Sequence, residues 1–219
     1  IKNASQAEMF VSSRVEEGSD YIKIVYNANA QGMPSINQET LQAVIASAQS
    51  RGKLAVVHIS NYPSALDAIK AGANGLVHSF MDKTDMSPLV NLMAKNSQFI
   101  IPTLSVMDSM AGAKNSQQLL SDFEKQGFDL SAQKTQLSTL LSNKHNASAS
   151  AQAKHNVNTF LDAGVLILAG TDAPAFFRSS EFINSINCCS VMFPFPTSTS
   201  VPTIDRTIFL KNLSALISK

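Results

Sequence analysis

The stretch that decides the fold is LAVVHISNYPSALDAIKAGANGLVHSF, residues 54–80. It begins with a short apolar run, continues with a helical pattern, and ends with a second apolar run. Pro63 in the first helical turn and Gly72 after the last turn follow the usual preferences of helix ends. A helix between two short apolar runs predicts a βαβ unit with parallel strands. Each run carries a histidine near its end, His58 and His78.

The same alternation extends in both directions along the chain. It predicts strands at 20–26, 54–59, 75–79, 98–106 and 165–170. It predicts helices at 4–17, 38–51, 63–71 and 87–95. Residues 107–163 are polar, mostly helical in pattern and longer than an ordinary βα connection, so we expect one or two extra helices over a site, as a lid or a substrate-facing wall.

Alternating helices and strands predict a parallel α/β sheet. A doubly wound sheet can be built from five strands, whereas a (β/α)8 barrel needs eight strands and about 250 residues. No GxGxxG or GxxxxGK[ST] motif follows a strand, so the usual support for a nucleotide-binding doubly wound fold is absent from the sequence.

The composition excludes several classes of function. The chain has 219 residues, 44% of them hydrophobic, which suggests one globular domain or most of one. A formal charge of +1 gives no electrostatic case for nucleic acid or an anionic membrane. No apolar stretch approaches the roughly 20 residues of a membrane span. The adjacent cysteines Cys188 and Cys189 form no disulfide framework.

The start of the chain suggests a piece of a longer protein. Ile1 lies directly before a predicted helix, and the first residues lack the pattern of a signal peptide. We therefore expect a fragment. Low charge and many Ser, Asn and Gln residues lean toward an exported bacterial protein, but the sequence leaves the bacterial periplasm and the cytoplasm both open.

Lys23 is an unusual residue for its place in the sequence. It lies in the middle of the apolar run DYIKIVY and shares a strand face with Tyr21 and Val25. A buried ammonium is costly unless it is paired, and a buried lysine tends to lose its proton. A neutral amine can react with carbon dioxide to give a carbamate, which is able to bridge two divalent metal ions. Alternatively, the side chain reaches the strand end and pairs with an acid.

His58 and His78 end successive predicted strands, 20 residues apart. The carboxyl ends of neighbouring parallel strands lie side by side, so the two imidazoles could converge on one ion, and neutral imidazole is a good zinc ligand. With Lys23 they could give three ligands and leave a position for water. The alternative is two separate core histidines, each bonded to a backbone carbonyl.

Asp172 follows the most apolar predicted strand. A carboxylate there can bind a metal and accept a proton from metal-bound water. Equally, an aspartate before Ala173 and Pro174 would cap a following helix. His145 and His155, ten residues apart in the polar stretch, do not share a helix face, and we expect them on the surface.

In this order along the chain, Lys23, His58, His78 and Asp172 resemble the strand-end ligands of the amidohydrolase superfamily, above all its imidazolonepropionase-like and prolidase-like branch. The matching segments cover about residues 1–175 and are SDYIKI, KLAVVHIS, AGANGLVHSF, FIIPTLSV and LDAGVLILAGTDAP. GVLILAGTDAP is fairly specific, whereas the histidine segments are specific only in combination and order.

The resemblance implies an α/β fold that is a partial (β/α)8 TIM barrel, strands four to eight, with the N-terminal strands missing. It implies one or two Zn²⁺ ions, or another divalent metal, at the carboxyl face. Lys23 then corresponds to the carboxylated lysine of strand four, and His58 and His78 to the ligands of strands five and six. FIIPTLSV falls on strand seven, and Asp172 corresponds to the strand-eight ligand and proton shuttle.

Two parts of the sequence depart from the family pattern. The His-x-His pair of the first strand is absent. Residues 176–219 do not align with the family and are expected to form a divergent tail, with a plausible helix only near 205–218. We therefore expect one barrel unit at 1–175, with the helical insertion at 107–163, and then this tail.

The sequence thus predicts a metal-dependent amidohydrolase that acts on the C–N bonds of a small amide, cyclic amide or dipeptide. We expect no nucleic-acid or membrane partner, and unpaired sheet edges would allow a homo-oligomer. One alternative is an inactive, truncated or degenerate relative that acts as a binding or interaction module. Another is an unrelated five-stranded α/β sensor-like domain, in which the four site residues affect only stability.

Overall fold

The computed structural model describes residues 1–28, 35–83, 85–112, 115–129, 131 and 146–170. In these ranges five strands form one sheet: β1 Tyr21–Val25, β2 Leu54–His58, β3 Gly75–Val77, β4 Phe99–Ile101 and β5 Leu166–Ile167. The helices there are α1 Ala7–Glu16, α2 Gln38–Ser50, α3 Tyr62–Lys70, α4 Ser87–Lys95, α5 Leu104–Met110, α6 Asn115–Lys125 and α7 Ala147–Asp162, with a 3-10 turn at Ala4–Gln6. The predicted tail at 176–219 and its helix lie outside the described residues.

The strands lie in the order β1-β2-β3-β4-β5, and every neighbouring pair is parallel. A doubly wound sheet reverses its strand order at a switch point, and this sheet does not. Sequential order is that of consecutive strands in a (β/α)8 barrel. The prediction of a partial barrel is therefore confirmed, and the doubly wound and sensor-like alternatives lose their support.

The outer face of the sheet carries the main core. Ile22, Val57, Leu76 and Ile100 point to this face and pack with the buried sides of α1 to α4 and with Phe160 of α7. Because side chains alternate along a strand, every second residue of each strand faces this side. Helices covering one face of consecutive parallel strands are what a barrel segment requires.

The inner face of the sheet is built from residues of the strands and from Leu168, just after β5. Its cluster consists of Val56, Val77, Phe99 and Leu168, with Leu54, Ile101 and Leu166 packed partly against it. On β1, the edge strand of the described sheet, Tyr21 and Val25 are 51% and 49% exposed. No helix of the described ranges contributes to this cluster.

Asparagine side chains and glycines mark the helix ends. Asn37, Asn61 and Asn146 accept a hydrogen bond from a first-turn amide of α2, α3 and α7 at 2.9, 2.9 and 3.1 Å. Gly52 and Gly72 come after α2 and α3 with φ of 65° and 93°, and Gly72 is thereby confirmed as a helix stop. None of the helices in the described part of the chain is long and apolar enough to cross a membrane.

The strand predicted at 98–106 is wrong beyond Ile101. Pro102 cannot donate to the sheet, Thr103 has a φ of 44°, and α5 then begins at Leu104. The apolar residues of FIIPTLSV suggested one continuous strand. After Pro102 the chain instead forms α5, in which Met107 is buried. The strands predicted to 79 and over 165–170 are also shorter, ending at Val77 and covering only Leu166–Ile167. Helices α5, α6 and α7 confirm the helical pattern of 107–163 where it is described.

Candidate metal centre

His58 is the last residue of β2 and belongs to the inner face. In the register of the sheet it lies between Val25 of β1 and Val77 of β3. Its side chain is half-buried, and it is at the carboxyl edge. The predicted position of His58 at a strand end is therefore observed.

His78 comes directly after β3, and its side chain reaches the same edge because of an unusual backbone conformation. Simple alternation after Val77, which faces inward, would send the next side chain to the helix-covered face. Instead, His78 has a φ of 76°, and its ring lies edge-to-face with the ring of His58, with centroids 4.4 Å apart at an interplanar angle of 79°. His78 is only 4% exposed. The structure thus brings together the two predicted histidines.

Thr103 holds the ring of His78 from the neighbouring strand end. The Oγ1 atom of Thr103 lies 2.7 Å from Nδ1 of His78, and the amide of His78 donates to the carbonyl oxygen of Ile101 at 2.8 Å. Both His78 and Thr103 have positive φ, which is costly for a residue with a Cβ and costlier for a β-branched one. Such strained residues, when held by their surroundings, are concentrated at functional sites.

The two imidazoles lie at nearly the separation that a shared divalent metal requires. Two rings bound to one zinc ion at 2.0–2.1 Å place their centroids roughly 4.5–5.5 Å apart, and the observed 4.4 Å lies next to this range. Because Nδ1 of His78 is bonded to Thr103, Nε2 is the nitrogen that a metal would take. A metal-binding histidine typically donates its other ring N–H to an oxygen, which Thr103 provides.

Lys23 lies on the same face as His58 but deeper in the sheet. It is in register with Val56, two residues before the level of His58, or about 6.6 Å along the strand. Its head would therefore have to lean along the strand to approach the histidines. The shared face with Tyr21 and Val25 is as predicted, but the predicted burial is wrong, because Lys23 is exposed on β1.

Asp172 and His145 lie outside the described residues, whereas His155 is exposed as predicted. The chain that leads to Asp172 approaches the histidine site, however. A Cβ placed on Gly170 would lie 2.5 Å from Cγ2 of Ile101 and 3.8 Å from Cγ2 of Thr103. The chain between β5 and Gly170 therefore passes directly beside the partner of His78.

The described side chains contain no complete set of acidic, cysteine and histidine ligands. No group of three or more His, Cys, Asp or Glu within the described ranges could hold a metal ion. The histidine pair needs further ligands, for which the predicted ones are Lys23 and Asp172. Sequence reasoning missed Thr103. The Pro-Thr dipeptide at a strand end was a signal that the strand stops there.

Comparison with known proteins gives matches in structure alone. No family model and no curated protein sequence matches this chain. A Xaa-Pro dipeptidase with methionine bound in its active site matches with a TM-score of 0.54 and 22% identity, over 79% of this chain and 39% of its own. An amidohydrolase matches with a TM-score of 0.52 and 20% identity, over 78% and 38%. The ochratoxinase of A. niger matches with a TM-score of 0.51 and 19% identity, over 78% and 35%.

This chain therefore spans about two fifths or less of the length of these structures. At such identities the likeness concerns the fold. At that level the predicted fold is confirmed: the chain has the architecture of part of a (β/α)8 barrel.

Proposed function

We propose that this chain supplies part of the metal centre of a hydrolase that cleaves C–N bonds in small amides, cyclic amides or dipeptides. The observation that carries the proposal is the edge-to-face contact of His58 and His78, 4.4 Å between centroids, at the carboxyl edge of the sheet. In barrels of this kind active sites lie at that edge. The dipeptidase and amidohydrolase structures with the same fold support the substrate class.

Each predicted residue has a role in the proposed centre. His58 and His78 would hold a Zn²⁺ ion or another divalent metal, and Lys23, after carboxylation, would add an oxygen ligand from the inner face. A bound divalent metal polarises a carbonyl and lowers the pKa of a coordinated water. Asp172 would accept a proton at its carboxylate and donate it to the leaving nitrogen. Thr103 would keep the ring of His78 in one tautomer and orientation.

The experiment that tests the proposal measures zinc binding to the 219-residue chain, purified without chelators or a polyhistidine tag. We expect measurable but weak zinc binding in a calorimetric titration, and poor turnover. His58→Ala and His78→Ala should each weaken zinc binding by at least about 100-fold, more than the loss of a residue that only supports a ligand. His155→Ala is the matched control, since it removes an exposed histidine of α7, and should leave the affinity unchanged.

Two results would contradict the metal centre. Folded protein that takes up no zinc is one, and zinc binding that survives the combined removal of both histidines is the other. Robust dipeptidase or amidase activity from this chain would contradict the expectation of poor turnover, but not the site.

A second candidate function is a binding or interaction module that has lost catalysis. The register of Lys23 favours it, because its head would have to lean about 6.6 Å along the strand to approach the histidines. The Asp172→Asn variant separates the two functions. In an enzyme it should abolish the residual hydrolysis of a dipeptide, whereas in a module no metal-dependent hydrolysis is present to lose.

A further inference from the structure

Helix α7 is hydrogen-bonded to the segment after His78, residues 79–83. Asn156 is fully buried, and its Nδ2 donates to the carbonyl oxygen of Phe80, two residues after His78, at 2.8 Å. Nε2 of Gln152, one turn earlier on α7, donates to Oδ1 of Asn156 at 2.7 Å and to the carbonyl oxygen of Lys83 at 3.0 Å. Two side chains of one helix therefore hold two carbonyl groups of this segment.

The same segment is tied to the residues just after His58. The ring of Phe80 lies edge-to-face with Tyr62 at 5.8 Å and with Phe160 of α7 at 6.4 Å. The carboxylate of Asp82 accepts the amide of Tyr62 at 2.9 and 3.2 Å. The start of α3, the segment after His78 and α7 thus form one packed unit behind the two histidines.

His78 needs this support because of its backbone. A positive φ in a residue with a side chain persists only where the surrounding structure imposes it. On one side, Thr103 and Ile101 bond the ring and the amide of His78. On the other side, the chain is fixed two residues later by Asn156. Releasing Phe80 would allow the backbone to relax, and the ring of His78 would turn away from His58.

We infer that Asn156, supported by Gln152, is a positioning residue that fixes the His78 ring for metal binding. This inference rests on the proposed function for its metal readout alone. The hydrogen bond between His78 and Thr103 gives a second, independent readout.

The test compares Asn156→Leu with Gln98→Met. Each removes one buried amide that donates to backbone carbonyl oxygen. Gln98 lies just before β4 at the amino edge of the sheet, and its Nε2 donates to Ala73 at 2.7 Å and to Ile69 at 3.4 Å. We expect Asn156→Leu to weaken zinc binding by about 10- to 100-fold, the range for residues behind metal ligands. Gln98→Met should change it less than about twofold, even where the two variants lose similar thermal stability. Gln152→Leu, at a half-buried position, should give a smaller loss and serves if Asn156→Leu does not fold.

Nitrogen NMR of the histidine rings in the metal-free protein completes the test. Asn156→Leu should shift the Nδ1 and Nε2 signals of His78, and Gln98→Met should not. If wild-type protein binds no zinc but these shifts occur, the proposed function fails and the positioning role stands. If zinc binds and both Asn156→Leu and Gln152→Leu leave the affinity and the His78 signals unchanged, the positioning role is overturned and the metal centre stands.

Discussion

The two faces of the sheet differ in what covers them and in what they carry. On the outer face, Val57, Leu76 and Ile100 are completely buried beneath helices. On the inner face, Val25 is 49% exposed, and the cluster around Val56 is formed mainly by strand residues. The outer face has a complete core, whereas the inner face carries the candidate chemistry at its carboxyl edge.

Successive residues of a strand face opposite sides of the sheet. The residues that form the main core and those of the candidate site therefore lie on different faces. Successive residues of β2 illustrate it, since Val57 enters the helix-covered core and His58 enters the candidate site. Parallel strands are normally covered on both faces. We therefore expect substitutions on the two faces to have unequal effects on the free energy of unfolding.

The largest effect should come from matched leucines on opposite faces. Leu76→Ala empties a fully buried position on the outer face and should lower the free energy of unfolding by about 2–5 kcal/mol. Leu54→Ala acts on a half-buried position of the inner face and should cost less than about 1.5 kcal/mol. Urea denaturation of both variants gives the comparison. Equal losses would mean that the inner face is covered in solution, for instance by a second copy of the chain.

The sequence predicts the shared faces because periodicity reports them directly, whereas the strand order followed only from the resemblance to a barrel family. The alternation in YIKIV placed Tyr21, Lys23 and Val25 together, and the structure agrees. It could not show whether that face is covered. Burial depends on what packs against a strand, and the apolar run suggested a buried lysine where the structure has an exposed one.

Only some residues of the candidate site could be identified from the sequence. Strand ends identified His58 and His78, but their contact depends on positive φ at His78 and Thr103. Such a conformation is imposed by tertiary contacts rather than by local preference, so no pattern in the sequence indicates it. The same holds for Asn156, whose partner is 76 residues away in the chain.

A second, smaller effect should come from the close packing inside the inner-face cluster. A Cβ on Gly75 would lie 2.2 Å from the ring of Phe99, so Gly75→Ala must displace that ring and should cost about 1–3 kcal/mol. Combining it with Phe99→Leu makes room for the methyl group. The cost of Gly75→Ala should then shrink by about 1 kcal/mol in a double-mutant cycle. Strict additivity of the two substitutions would show that the ring does not lie over Gly75.

The smallest effect should come from two tyrosines near the ends of β1. Tyr26 comes directly after β1 and belongs to the core of the outer face, whereas Tyr21 lies on the inner face. Burial, with the hydrogen bond to Asp67 and the charge of that residue, raises the pKa of Tyr26 to about 12. Below pH 10, Tyr26→Phe should cost about 1.5 kcal/mol, because it removes a hydrogen bond to a charged group.

Between pH 10 and about 12 the unfolded chain loses the proton of Tyr26 before the folded one does, so wild-type stability should fall with rising pH. The Tyr26→Phe variant should lack that component of the fall. Tyr21→Phe, at an exposed position, should match the wild type in denaturation at pH 8. A loss equal to that of Tyr26→Phe would contradict the difference between the two faces at this strand.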